Sequence, residues 1–244
     1  MSGDELARIR QVYAGYGDAN FGATRWSPQN RGNQSIAKER EAIIGGLLHA
    51  HGYAPLGERR VLDIGCGGGD VLAGFAAWGG RHDCLVGLEL LAQRAAAAHA
   101  RHPQLLMLQG NAAELGLDDG SFDLIVFFTV FSSVLDPQLR VQIATEASRV
   151  LRPGGAIVWY DLRTPNPRNT NIRPLGREEI QQLFPGLTPH LRTATVLPPL
   201  ARRLGKTTAV MYPSLGRFAW LHTHYIGLLI DERRGPTGSR TKRK

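Results

Sequence analysis

The first chemical signal is a short run of glycines and acids. Asp63, Gly65, Gly67 and Gly69 alternate in VLDIGCGGGD, residues 61–70, and Glu89 follows about twenty residues on. Glycines let a chain turn tightly and let a ligand come close to the backbone. A helix that starts just after them offers unpaired N–H groups. A carboxylate at the end of the following strand can accept from both hydroxyls of a ribose. Together they describe a crevice at strand ends that holds a nucleoside. The spacing is GxGxG, led by Asp63 and followed by Asp70, not the GxGxxG of dinucleotide sites. An amino acid moiety needs donors for its carboxylate and acceptors for its ammonium, not a cradle for pyrophosphate.

The elements that must position these residues are legible as alternating apolar runs. Val61–Ile64 reads as a strand, residues 70–80 as a helix and 84–89 as a second strand. Residues 90–102 are alanine-rich and helix-prone. Residues 105–110 and 122–130 read as the third and fourth strands; the fourth is apolar almost throughout, as a strand covered on both faces is. Residues 137–151 read as a helix with Asp136 as its cap and Pro137 at its first position. RPGG then turns the chain into a fifth strand over 156–161. Such alternation predicts an α/β fold with a parallel sheet and helices on both faces.

The flanks are less regular. A helix is expected over 4–16, a loop over 17–35 and an amphipathic helix over 36–52 that Gly52 stops. After the fifth strand come a loop at 164–176, a helix at 177–184, a weak strand at 190–197 and a final strand at 223–230. The expected division is an N-terminal helical lid segment, 1–52, and one main domain, 53–244. That domain carries inserted segments at 162–185 and 198–221 that roof a substrate pocket.

The stretch 61–161 resembles class I S-adenosylmethionine-dependent methyltransferases of the small-molecule type. The resemblance implies a Rossmann-like sheet of seven strands, mainly parallel, whose last strand is antiparallel and inserted between two parallel ones. It implies S-adenosylmethionine as cofactor. Gly65, Gly67 and Gly69 would surround its methionine part, with Asp63 and Cys66 in the same turn. Glu89 would hold the ribose, and Leu90 and Ala112 would flank the adenine. Asn111 stands where the family usually has Asp, and its carbonyl oxygen can still accept a hydrogen bond. Phe128 and Thr129 fall where the family lines the methyl region.

Methyl transfer from a sulfonium needs alignment, exclusion of water and, for a hydroxyl, a proton acceptor. Asp161, His224 and Tyr16 are the catalytic candidates. Tyr13, Trp26, Tyr160, Arg163, Asn166 and Tyr225 are the candidates for substrate contact. No metal cluster is suggested. Cys66 and Cys84 form no CxxC pair and are expected to be reduced. The net charge is +8, and RTKRK at 240–244 supplies four positive charges. This favours acidic partners without specifying one.

The reading is methyl transfer to a hydroxyl or amino group of a small metabolite. The alternatives are RNA methylation and a cofactor-binding chain that does not methylate. Nucleic acid is not the expected partner, since stacking aromatics interleaved with basic residues are missing. No membrane partner is expected, because the apolar runs fall short of the ~20 residues a span needs. A cytoplasmic monomer or homodimer is expected.

Overall fold

The computed structural model describes residues 2–15 and 27–233. Tyr16, Phe21, Arg25, Trp26 and the basic run at 240–244 lie outside the described residues. Two helices come first, α1 (Ser2–Gly15) and α2 (Arg31–Ala50). The alternating part runs β1 (Val61–Ile64), α3 (Asp70–Ala77), β2 (Leu85–Glu89), α4 (Ala92–Arg101) and β3 (Leu106–Gln109). It continues through β4 (Phe122–Phe128), α5 (Pro137–Val150) and β5 (Leu151–Leu162). The chain ends with α6 (Arg177–Leu183), β6 (Thr188–Val196), α7 (Pro198–Arg203), α8 (Thr208–Leu215) and β7 (His222–Ile230).

The seven strands form one sheet in the order β3-β2-β1-β4-β5-β7-β6. The first five are parallel, and β7 lies antiparallel between β5 and β6. This is the mainly parallel, Rossmann-like plan with one inserted antiparallel strand. The order reverses at β1, so the ends of β1, β2 and β4 face a shared crevice.

Alternation along the strands divides the core. Leu62, Ile64, Phe127, Trp159 and Leu229 pack on one face with α1, α5 and α6. Val61, Val126, Val158, Tyr160 and Ile226 pack on the other with α2 and α3. Trp159 and Tyr160 thus point to opposite faces, and both are buried.

Two local expectations change. The loop expected over 17–35 stops earlier, because α2 begins at Arg31. Asn30 starts it: its side chain accepts from Gly32 N and Asn33 N at 2.9 and 3.3 Å. Gly32 then lets α2 approach α7, since a Cβ there would lie 2.3 Å from the Ala201 carbonyl oxygen. The RPGG turn does not precede the fifth strand but bulges from it. Pairing with β4 jumps from Leu151 to Ala156, and Gly154 takes φ +80°.

Trp159 is sealed among Phe127, Phe131 and Phe184 with ring separations of 5.1–6.3 Å. Its indole N–H has no hydrogen-bond partner among the described residues. Trp159→Ala should therefore cost about 3–5 kcal/mol in urea denaturation, since it opens a cavity. Trp159→Phe should cost clearly less, because it keeps a ring and removes the unpaired donor. Equal losses would contradict this account of the core.

Candidate active site

The glycine turn after β1 is wound by three left-handed residues. Gly65, Gly67 and Gly69 have φ of +75°, +55° and +81°. A Cβ on Gly67 would meet the Arg94 guanidinium at 2.8 Å, and one on Gly65 would meet Val130 at 2.8 Å. The turn hangs on the neighbouring strand: Gly65 N and Cys66 N both donate to the Leu88 carbonyl, at 2.8 and 3.0 Å.

Glu89 ends β2 beside this turn. Its buried carboxylate accepts from Gly67 N at 3.1 Å and from Leu91 N at 3.2 Å. Arg94 Nε stands 3.7 Å away. A carboxylate has about four acceptor sites, so the two amides leave capacity for a pair of hydroxyls.

A cavity of about 150 Å³ opens at these strand ends. It brings together seven of the residues expected to hold a cofactor: Gly65, Glu89, Leu90, Asn111, Ala112, Phe128 and Thr129. Tyr13 also lines it. Gly67 reaches it through its amide on Glu89. Asp63, Cys66 and Gly69 are not in its lining. The Cys66 thiol turns toward Met107, with 3.9 Å between the sulfurs, and burial raises its pKa. A larger hollow of about 490 Å³ lies by Lys38, His49, Leu56 and Trp78. Those residues lie before β1 and after α3, and none belongs to the glycine turn.

Helix α1 closes the cavity with Leu6, Ile9 and Tyr13. Three polar anchors hold it. The Glu5 carboxylate accepts from Leu135 N at 2.5 Å, Arg8 donates to the Ser133 carbonyl at 2.6 Å, and the Tyr13 hydroxyl bonds Ser133 Oγ at 2.6 Å. Hydrogen bonding to Arg8 holds the Glu5 carboxyl below its ordinary pKa. Arg94 lies over the Tyr13 ring at 5.0 Å.

A second polar group gathers on the other face of the sheet, beneath α2. The Arg40 guanidinium lies over Phe128 at 4.8 Å and over Tyr160 at 5.4 Å. It has no ion pair or hydrogen bond among the described residues. Nearby Asp63 is buried with Oδ2 unpartnered, and burial pushes its pKa up to about 7. Tyr160 stacks on His224 at 4.4 Å and bonds Thr195 Oγ1 at 2.9 Å. Glu39 accepts from Thr195 N at 3.0 Å and from the Tyr212 hydroxyl at 2.7 Å.

Thr223 Oγ1 lies 3.2 Å from the Thr195 carbonyl and 2.8 Å from His224 Nδ1. In the tautomer with the ring proton on Nδ1, that hydroxyl accepts from the ring and donates to the carbonyl, and Nε2 keeps its lone pair with no partner among the described residues. Burial, helped by Arg40, holds the imidazole neutral, with its pKa pushed down to about 3.

The remaining candidates are spread out. Asp161 is fully buried and accepts from Ser132 N at 3.2 Å and from its neighbour Leu162 N at 2.7 Å. Burial raises its pKa to about 6. Asp161 lies in β5 outside the cavity lining, and its bond to Ser132 N pins residues 131–133. Arg163 donates to the His222 carbonyl at 2.6 Å and lies over Tyr225 at 5.6 Å. Tyr225 also meets Arg177 at 4.9 Å, on the opposite face from His224. Asn166 is exposed and accepts from Arg168 N. Among the described residues no group of His, Cys, Asp and Glu is arranged to hold a metal.

Sequence reasoning missed Arg40, although a signal was present. Ile36, Arg40, Ile44 and Leu48 follow at four-residue spacing, and the three apolar members are buried. Arg40 is thus a charge on the apolar stripe of an amphipathic helix.

These residues suit a nucleoside that carries an amino acid. The glycines leave room for it, Glu89 retains acceptor capacity, and Arg40 and Asp63, which feel each other's charge without an ion pair among the described residues, offer a cation and an acid. Residues 61–155 match the family described as "Methyltransferase domain". The fatty-acid O-methyltransferase of Mycolicibacterium smegmatis is 37 % identical over 107 residues, 43 % of this chain and 38 % of that protein. The ubiquinone biosynthesis O-methyltransferase of Ralstonia nicotianae is 26 % identical over 197 residues, 74 % of this chain and 79 % of that one. The chain spans about half the length of the curated relatives it matches at higher identity. A solved SAM-dependent methyltransferase from Archaeoglobus fulgidus superposes with TM-score 0.54 at 17 % identity, over 81 % of this chain and 96 % of that one. This last likeness concerns the fold alone.

Asp63 gives a pH test of this site. Unfolded, it ionises at its ordinary 3.8; folded, near 7. Its burial therefore costs nothing below pH 3.8, and the cost grows as pH rises to 7. The melting temperature of Asp63→Asn, relative to the unaltered protein, should climb across that interval and then level off. A constant difference across it would contradict a buried, strained carboxyl.

Proposed function

From the class I S-adenosylmethionine-dependent methyltransferase domain that this chain carries, we infer that it methylates a hydroxyl or amino group of a small metabolite. The observation that carries the reading is the glycine turn closed onto Glu89, with its spare acceptor capacity.

When bound, S-adenosylmethionine supplies a methyl on a cationic sulfur with a neutral leaving group. Every other task falls to side chains and amides of this chain. Glu89 takes the two ribose hydroxyls. Leu90 and Ala112 flank the adenine, and Asn111 offers its amide to the adenine edge. The turn from Gly65 to Gly69 accommodates the amino acid end. Arg40, which makes no ion pair or hydrogen bond among the described residues, holds the carboxylate there. Phe128, between the cavity and Arg40, and its neighbour Thr129 border the reacting centre.

His224 serves the acceptor. Its Nε2 lone pair accepts the hydrogen bond of the substrate O–H or N–H and, for a hydroxyl, takes the proton that the oxygen sheds as its bond to the methyl forms. Stacking on Tyr160 and the bond from Nδ1 to Thr223 fix the ring. Tyr160 is a positioning residue, itself held through Thr195 by Glu39.

Helix α1 is the lid. A cavity of about 150 Å³ is too small for a nucleoside, since ligand pockets run to about 300 Å³ or more. Leu6, Ile9 and Tyr13 must move out for entry and return to exclude water. The anchors at Ser133 and Leu135 are what they release and remake.

Two outcomes follow. In titration calorimetry, Glu89→Ala should bind the cofactor about 10- to 100-fold more weakly, the loss of charge-assisted hydrogen bonds. Unchanged affinity would remove Glu89 from the site. On an acceptor found with labelled cofactor and a metabolite extract, His224→Ala should lose about 100-fold in kcat. His224→Gln restores an acceptor but cannot take the proton, so its KM should recover while kcat stays low. Full kcat in the Ala variant would exclude His224.

A further inference from the structure

The insert between β6 and β7 has an inner face with a clear task and an outer face without one. On the inside, Ala201, Thr208, Tyr212 and Leu221 are buried against α2, and Tyr212 bonds Glu39. On the outside, Val210 is 75 % exposed, Trp220 76 %, Phe218 51 % and Met211 43 %. Leu197, at the start of the insert, is also exposed. Elsewhere among the described residues, only Leu106 and Val141 are large apolar side chains so exposed. Monomeric proteins seldom gather exposed apolar groups in this way without a partner.

The charges on the same segment are one-sided. Residues 198–221, PPLARRLGKTTAVMYPSLGRFAWL, contain Arg202, Arg203, Lys206 and Arg217 and no acid. Arg203, Lys206 and Arg217 are exposed. Phe218 and Trp220 face each other at 6.2 Å, directly after Arg217.

We propose that this outer face docks on the surface of an anionic bilayer. Aromatic and aliphatic side chains enter the headgroup boundary, and the basic residues meet anionic lipid. Tryptophan suits that boundary, being apolar with one polar edge. No span is required, and no helix of the described residues is long and apolar enough to be one. RNA fits less well, because Val210, Met211 and Leu197 have no ring on which a base can stack.

The position gives the docking a use. The insert runs directly into β7, and His222 Nε2 bonds the Gly216 carbonyl at 2.9 Å. The start of β7 pairs with the end of β5, where His224 lies. A face docked there would open the acceptor side of the sheet toward the lipid.

Co-sedimentation of the full chain with vesicles tests this without any assay of methylation. The protein should pellet with vesicles rich in phosphatidylglycerol, less so as salt rises, and hardly with pure phosphatidylcholine. Arg203→Gln, Lys206→Gln and Arg217→Gln together should weaken binding on the order of 100-fold, at about 1 kcal/mol per basic residue. Phe218→Ser with Trp220→Ser should also abolish pelleting. Val141→Ser, exposed on α5, should change nothing. No pelleting at low salt, or equal pelleting with both lipids, would overturn the proposal. So would a soluble dimer, or binding of single-stranded RNA, that Trp220→Ser abolishes while vesicles are not bound.

Discussion

Two backbone amides converge on one carboxylate, and the cofactor side of the molecule is built around that convergence. Gly67 N belongs to the turn after β1, and Leu91 N to the turn after β2. Glu89 joins them where the two parallel strands end. A buried carboxylate is costly unless its oxygens are bonded, so Glu89 stays fixed in place only while both turns keep their shape. The left-handed glycines make the first turn, and the Leu88 carbonyl anchors it. Removing a glycine therefore disturbs Glu89 even though the glycine carries no chemistry.

The end of β4 links the cofactor side to the acceptor side. Phe128 lies against the cavity and beneath Arg40, and its neighbour Thr129 has φ +55°. A β-branched residue in that region is strained. A bond from Thr129 N to the Tyr160 carbonyl at 2.7 Å holds it there. Thr195, at φ +69°, is a second such residue, held by Glu39 on its amide and Tyr160 on its hydroxyl. Both strained threonines thus bond Tyr160, one at its carbonyl and one at its ring hydroxyl. Burial keeps that hydroxyl protonated, with its pKa raised to about 12. These contacts fix Tyr160 on the sheet face opposite α1.

The alternating core was legible because its signals are local. Short apolar runs, glycine turns and the Asp136–Pro137 cap each depend on a few adjacent residues, and β1 to β4 formed close to where they predicted, while β5 starts earlier, at Leu151. Glu89 was found by its distance from the glycines. What escaped depends on distant partners. The start of α2 was hidden because Asn30 sits among glycines and serines that read as loop. Arg40 was read as one polar residue of a helix, though it occupies the apolar stripe. Tyr13 was named as a candidate for substrate contact, but its partner Ser133 is 120 residues away. The Glu39–Thr195–Tyr160 chain joins three elements with no pattern in common.

The most direct measurement is a crystal structure with S-adenosylhomocysteine. The account predicts both ribose hydroxyls on Glu89, the amino acid carboxylate on Arg40, and α1 displaced from its present contacts or re-closed over the ligand. A nucleoside bound elsewhere, with Glu89 still bonded only to the two amides, would contradict it.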